Sequence, residues 1–532
     1  MVAMAATVVR AAVRAMKDSD MQMRNHSLIA IAVAVFAAGC SFQPKYERPA
    51  APVAGAFPSS GVYATQPAGT PGRSAANQAA ADIGWRNFFV DARLQRLIEI
   101  ALANNRDLRV SVLNVDAARA QYRISRADLF PTLDATGQES VSRTPKDLSF
   151  FGKTISRQYN VGLDASWELD FWGRIRSLKD QALEQYLSTA QARKAAEISL
   201  VSQVADQYLQ MLAVDDLLKV TDDTLKSAQS SYDLTKLQFD NGTGSELSLR
   251  QAETVVEQAR ANREAQARSR AQAENALVLL IGQPLPDDLP PGNTLGDQAL
   301  LTDIPAGLPS DLLTRRPDVM EAEAALRAAN ANIGAARAAF FPKISLTGSA
   351  GTASLTLGGL FKPGSAAWSF TPQISLPIFE GGRNIANLDL ANIQKRIEIA
   401  KYEKAIQSAF RDVADGLAAR STYDAQIGAL ERNTNAEQRA LDLSQLRYRN
   451  GVDSYLQVLT AQTNLYSAQQ SLINARVARL TNLVDLYVAL GGGWLQQTGE
   501  TPRAPDADTN YSKLPAQVPQ GGASSLASER AD

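Results

Sequence analysis

Residues 383–449 read RNIANLDLANIQKRIEIAKYEKAIQSAFRDVADGLAARSTYDAQIGALERNTNAEQRALDLSQLRYR, followed by Asn450-Gly451 and a return run from Val452 to Leu490. These 67 residues hold no proline and only two glycines, Gly416 and Gly428. One uninterrupted helix of roughly 100 Å is therefore predicted, at about 1.5 Å per residue. Asn-Gly supplies the reversal, because glycine accepts positive φ without steric cost. A helix this long exceeds what a globular domain needs and points to an extended device rather than a catalytic pocket.

The same unit occurs earlier. Arg174 to Asp240 is a second 67-residue run, free of glycine and proline. It ends in Asn241-Gly242 and is followed by a return run from Glu246 to Leu280. Asp206 matches Asp415, and Ile281-Gly282 matches Leu490-Gly491, at one constant interval. Upstream, SRADLFPTLDATG (Ser125 to Gly137) is answered by ARAAFFPKISLTG (Ala336 to Gly348) at a slightly longer interval, so the second strand pair has the shorter loop. Apolar residues step by three and four, as in Ile175, Leu178, Ala182, Tyr186 and Ala190, while alanine, glutamine and serine fill the rest. That composition allows close helix packing with a hydrated opposite face. Taken alone, this segment also fits an isolated coiled-coil stalk.

Between the helical runs lie alternating segments. In YNVGLDASWELDF, Tyr159 to Phe171, Tyr159, Val161, Leu163, Ala165, Trp167, Leu169 and Phe171 share one face; Asn160, Asp164, Ser166, Glu168 and Asp170 share the other. The run exceeds the ~9–11 residues that cross a bilayer in a barrel. Thr132 to Val141 is its weaker partner. The second repeat alternates through Ile344, Leu346 and Ala350, then Trp368, Phe370, Ile374, Leu376 and Ile378. An apolar outer face over a polar inner face suits a water-filled barrel; a half-buried soluble sheet is the alternative.

The chain ends read differently. Residues 24–40, RNHSLIAIAVAVFAAGC, form a basic start, a short apolar run and small residues up to Cys40, a secretory signal too short to span a membrane. Ala38-Gly39-Cys40 resembles a lipoprotein signal, implying acylation of Cys40 after removal of residues 1–39, and Ser41 resembles the outer-membrane-sorted class. A start at Met21 or Met23 gives a signal of more typical length. Residues 40–84 read as an acylated tether, 85–281 as the first repeat, 282–316 as a proline-rich connector, 317–494 as the second repeat and 495–532 as a flexible tail. His26 is the only histidine and Cys40 the only cysteine, so a mature chain lacks the residues of histidine-dependent triads and the usual zinc sites. Lys plus Arg number 54 against 55 for Asp plus Glu, which gives nucleic-acid binding no support. No catalytic, metal or phosphate-binding motif stands out.

Four strands per chain cannot close a barrel, and lipid tolerates no open sheet edge. Two chains give eight strands and a side-chain-filled interior; three give twelve and room for water, so a conduit points to a trimer. The fold class expected is an α+β membrane protein with two internal repeats.

GLPSDLLTRRPDVMEAEAALRAANANIGAARAAFFPKISLTGSAG (Gly307 to Gly351), PIFEGGRN (Pro377 to Asn384), RYRNGVDSYLQVLTAQ (Arg447 to Gln462) and LYVALGGGW (Leu486 to Trp494) resemble the TolC-type outer-membrane factors. Within these the sequence is most similar to the OprM-like, NodT-type lipoprotein branch of tripartite resistance-nodulation-division efflux systems. The resemblance implies a homotrimer with a twelve-stranded barrel in the outer membrane, a long α-helical barrel in the periplasm and an equatorial domain. It implies a periplasmic membrane-fusion adaptor and an inner-membrane pump as partners, and no cofactor beyond the lipid on Cys40. Asn241, Gly242, Asn450 and Gly451 match the adaptor-contact tip. Tyr448 matches an inter-helix latch and Leu456 a closing leucine of the periplasmic gate. Thr460 stands where the branch often has an aspartate ring, leaving Asp453 as the nearby charge. The function expected is a passive exit duct for drugs or other small molecules. The alternatives are an outlet for type I protein secretion or metal-ion efflux, and a structural coiled-coil lipoprotein without a pore.

Overall fold

The computed structural model describes residues 41–63, 79–145, 147, 155–298, 300 and 309–500. The signal segment, the lipidation residue Cys40, residues 64–78 of the tether, 299 and 301–308 of the connector and the tail from 501 lie outside the described residues. In chain order the elements are α1 (Trp85–Phe88), α2 (Ala92–Asn104), α3 (Arg106–Ala127), β1 (Thr132–Arg143), β2 (Ile155–Leu169), α4 (Arg174–Asp240) and α5 (Glu246–Ile281); then α6 (Pro309–Arg315), α7 (Pro317–Ala338), β3 (Lys343–Ser354), β4 (Ala366–Ser375), α8 (Arg383–Arg449) and α9 (Tyr455–Ala489). Helix, two strands, long helix and returning helix occur twice, as the internal repeat requires. The chain divides into two compact units, one of residues up to 49, 117–187 and 323–401, the other of 50–116, 188–322 and 402 onward.

The first unit holds an antiparallel sheet in the order β1-β2-β3-β4. Register turns the sequence alternation into a two-faced wall. Leu133 faces Ala165, Ala135 faces Leu163, Trp167 faces Leu346, and Ile344 faces Ile374. The other parity is polar apart from Gly162, Gly351, Ala353 and Ala367: Thr136 Oγ1 donates to Asp164 Oδ2 at 2.6 Å, and the Ser349 and Ser369 hydroxyls meet at 2.7 Å. The apolar face is bare, with Trp368 80% and Ile374 69% exposed. A half-buried soluble sheet would cover that face. Among the described residues β1 and β4 each keep a free edge.

Asp170 departs from the alternation. It was expected on the polar face of the strand, yet β2 stops at Leu169. The Asp170 carboxylate instead accepts from Ile175 N at 3.1 Å and Arg176 N at 2.9 Å, satisfying first-turn donors of α4. Likewise Leu376 and Ile378 lie beyond the end of β4, and the return run begins at Tyr455 rather than Val452.

In the second unit α2 is capped by Asp91, whose Oδ1 accepts from Arg93 N and Leu94 N. Its Oδ2 accepts from Tyr208 Oη at 3.1 Å, Asn293 N at 3.1 Å and Gln298 Nε2 at 2.7 Å. One buried carboxylate thus joins α2, α4 and the connector. Burial pushes its pKa up, but these donors prevail and hold it below the usual range. Tyr487 stacks on Phe88 at 4.1 Å and donates to Ile83 O at 2.6 Å.

At Asp206 of α4 the balance is reversed, burial outweighing the lowering effect of the Ser202 and Thr481 hydroxyls. Ser202 Oγ donates to its Oδ2 at 3.2 Å, while Oδ1 is buried without a partner. Burial, then the charge of Asp485 on α9, push Asp206 up to about 7. Asp485 is itself raised by burial and by Asp412. The repeat counterpart of Asp206, Asp415, is exposed beside Arg411. Equivalent positions in the two repeats therefore carry the same residue in opposite environments.

Candidate docking tip and gate

Both hairpins turn through the same backbone construction. In the first, Gly242 N donates to Phe239 O and Thr243 N to Gln238 O, each at 2.9 Å. In the second, Gly451 N donates to Tyr448 O at 3.0 Å and Val452 N to Arg447 O at 2.9 Å. These paired bonds close a helix with a left-handed residue. Gly242 and Gly451 supply it with φ of 70° and 69°. Asn241 and Asn450 each return their side-chain amide to the carbonyl four residues back, at 2.7 Å in both turns. A Cβ placed on either glycine would meet nothing within 4 Å, so both tips present open backbone.

The two turns are joined through Tyr448. Its Oη donates to Gln238 Oε1 at 2.8 Å and lies 3.3 Å from Thr235 Oγ1. Its ring meets Tyr455 edge-on at 5.4 Å. Behind it Tyr455, Val458, Ala461, Leu465, Leu441 and Ala252 form a buried cluster. Burial and the neighbouring Tyr448 push the Tyr455 phenol up to about 12, and its buried Oη has no hydrogen-bond partner.

The four expected gate residues take three different places. Tyr448 is part-buried between α4 and α9. Asp453 forms a two-pronged ion pair with Arg447, at 2.6 and 2.9 Å, which holds its carboxyl below the usual range. Leu456 and Thr460 sit one turn apart on exposed α9 surface, with Thr460 Oγ1 donating to Leu456 O at 2.9 Å.

Sequence reasoning missed the α4 side of this seam. Thr221 Oγ1 lies 3.0 Å from Tyr466 Oη, Gln462 Nε2 reaches the Ser227 and Ser231 hydroxyls at 3.3 and 3.4 Å, and Gln462 Oε1 is buried without a partner. Thr221, Ala228 and Thr235, all buried, recur at heptad spacing. That run of small and hydroxyl residues in place of leucine was the available signal. The Gln462 contacts are long, and its orphaned acceptor weakens the seam by about 1–3 kcal/mol. Between α4, α8 and α9 it leaves a notch of about 240 Å³ lined by Ser227, Ser230, Ser231, Gln445 and Arg449.

The sequence model of the family described as "Outer membrane efflux protein" matches residues 97–283 and 308–492, one match per repeat. The toluene efflux pump outer membrane protein TtgC of Pseudomonas putida is 50% identical over 486 residues, covering 91% of this chain and 99% of that protein. The outer membrane protein OprJ of Pseudomonas aeruginosa is 45% identical, covering 87% and 95%. The open-state crystal structure of the MtrE outer membrane channel of Neisseria gonorrhoeae superposes with a TM-score of 0.76 at 43% identity, covering 87% of this chain and all of that one. With both repeats matched and about nine-tenths of its length shared with such relatives, the chain belongs to the outer membrane efflux protein family.

Proposed function

We propose that three copies of this chain form the outer-membrane exit duct of a tripartite efflux pump, and that Cys40 carries a lipid anchor. The supporting observation is the sheet: four strands in register, one face apolar except for Glu139, Arg143, Arg157, Thr352 and Ser354 toward the hairpin ends, a polar face and two free edges. Lipid accepts such a sheet only when it is closed, and twelve strands from three copies leave an aqueous lumen. Substrate passes through without chemistry, energy coming from an inner-membrane pump linked by a periplasmic adaptor at the Asn241-Gly242 and Asn450-Gly451 turns. The name of the toluene efflux pump relative favours small organic compounds as cargo.

In this reading the tip is a latch. Tyr448 with Gln238 and Thr235 holds α8 and α9 against α4, Leu456 narrows the resting pore, and the Arg447–Asp453 pair fixes the turn that the adaptor meets. The test is a deletion strain challenged with toluene, antibiotics and dyes, then complemented. Sensitivity restored by the native gene supports efflux. Unchanged tolerance to every compound, with secretion of a protein lost, would replace it with a protein-secretion outlet.

A further inference from the structure

One face of α7 has no role in the duct as described so far. Glu323, Arg327, Asn330, Gly334 and Arg337 recur at steps of four and three, one stripe along the helix. Every one of them meets the segment 41–49. Arg48 grips Glu323 with two parallel bonds of 2.9 and 2.8 Å, and Tyr46 Oη donates to the same carboxylate at 3.1 Å. Arg327 completes it at 2.8 Å and lies 5.1 Å from the Tyr46 ring centre. Asn330 Nδ2 donates to Pro44 O at 2.8 Å, and Arg337 Nη1 to Phe42 O at 3.3 Å. Phe42 stacks on Phe341 at 4.4 Å, just before β3 begins. A Cβ on Gly334 would come within 2.9 Å of Gln43 Cα, so only glycine lets the segment lie this close.

The track is specific to the second repeat. Aligning Phe130 with Phe341 places Val112 of α3 opposite Glu323 and Arg123 opposite Gly334, which removes both the anchor and the gap. Glu323 is also only 5% exposed. A buried carboxylate is retained at such a place when cations surround it. Burial pushes Glu323 up, but the Arg48 and Arg327 bonds prevail and keep it ionised.

We infer that this face of α7 is a peptide-binding site for the chain's own FQPKYER segment, Phe42 to Arg48, which is held there as a bound ligand rather than as slack tether. The recognised chemistry is an extended peptide with an aromatic residue, a proline, a tyrosine and an arginine at alternate positions. The consequence goes beyond the duct reading. Any attachment made upstream of Ser41 acts on the strand ends through the Phe42 ring, which lies against Phe341 and stacks on Trp172 at 6.2 Å, not on a loose linker.

The test separates binding from connectivity. A protease site is inserted between Ala54 and Gly55 of the full-length chain, which carries Cys40→Ala and an ordinary secretory signal so that no lipid retains the fragment. After cleavage, size exclusion and mass spectrometry report whether the fragment travels with the body of the protein. Retention in the native sequence is expected, with release at least tenfold faster for Arg48→Ala, a change on the segment that leaves α7 untouched. Glu323→Ala is expected to release it similarly. Loss of the fragment from the native protein on cleavage, or equal retention in Arg48→Ala, would overturn the inference.

Discussion

Replacing Asp206 with asparagine should stabilise the protein at alkaline pH and leave it unchanged in mild acid. In the folded chain the carboxyl titrates at about 7, against about 3.9 for an unperturbed aspartate. A raised acid pKa means that the folded state holds a proton the unfolded state has released. Stability from this group is therefore present in mild acid and is lost as pH rises from about 4 to about 7, at roughly 1.4 kcal/mol per pH unit. Two of those units lie between pH 5 and pH 8, so the native chain loses about 3 kcal/mol there. Asparagine mimics the protonated carboxyl and has nothing to lose. Unfolding entropy of about 2.1 cal/mol/K per residue over a few hundred structured residues converts this to roughly 3 °C. The assay is thermal unfolding of the purified protein by far-ultraviolet circular dichroism at pH 5 and pH 8. A melting temperature of the variant that drops between these pH values as much as the native one would refute the argument. So would a variant less stable than the native chain at pH 8.

At the tip, Gly451→Ala should cost about 1 kcal/mol for a left-handed alanine while leaving efflux close to native, since no neighbour is met. Gly451→Trp should abolish complementation of drug sensitivity while the trimer still forms; equal behaviour of both variants would remove the docking role. On the sheet, Leu163→Arg places a cation on the apolar face at a cost of about 2–4 kcal/mol near the bilayer midplane, whereas Asp164→Asn on the polar face should be tolerated. Heat-modifiable migration of outer-membrane fractions reads the difference, and the reverse order would invert the assignment of faces.

The helices were legible because the signal was repetitive and unbroken. α4 and α8 begin and end where glycine-free or nearly glycine-free runs do, at Arg174 and Asp240, and at Arg383 and Arg449. The strands were legible by alternation, but not their ends. Asp170 fits the polar parity of β2 and yet caps α4, because a free helix N-terminus competes for the same carboxylate. The two turns were found through their glycines, which supply the left-handed residue at each helix end. The partners of Tyr448 and Gln462 were not, because Gln238, Thr235 and Ser231 belong to another helix far away in sequence. The N-terminal segment looked like an aperiodic tether for a similar reason. Its anchoring side chains, Phe42, Tyr46 and Arg48, are read only against Phe341 and Glu323, hundreds of residues later.

The most direct test of the central claim is single-channel conductance of the purified protein in planar bilayers, native beside Tyr448→Phe combined with Gln238→Ala. The account predicts that both insert, that the native trimer conducts weakly at rest, and that the variant, with the bonds between α8 and α4 removed, conducts more. No conductance from either protein would contradict the duct.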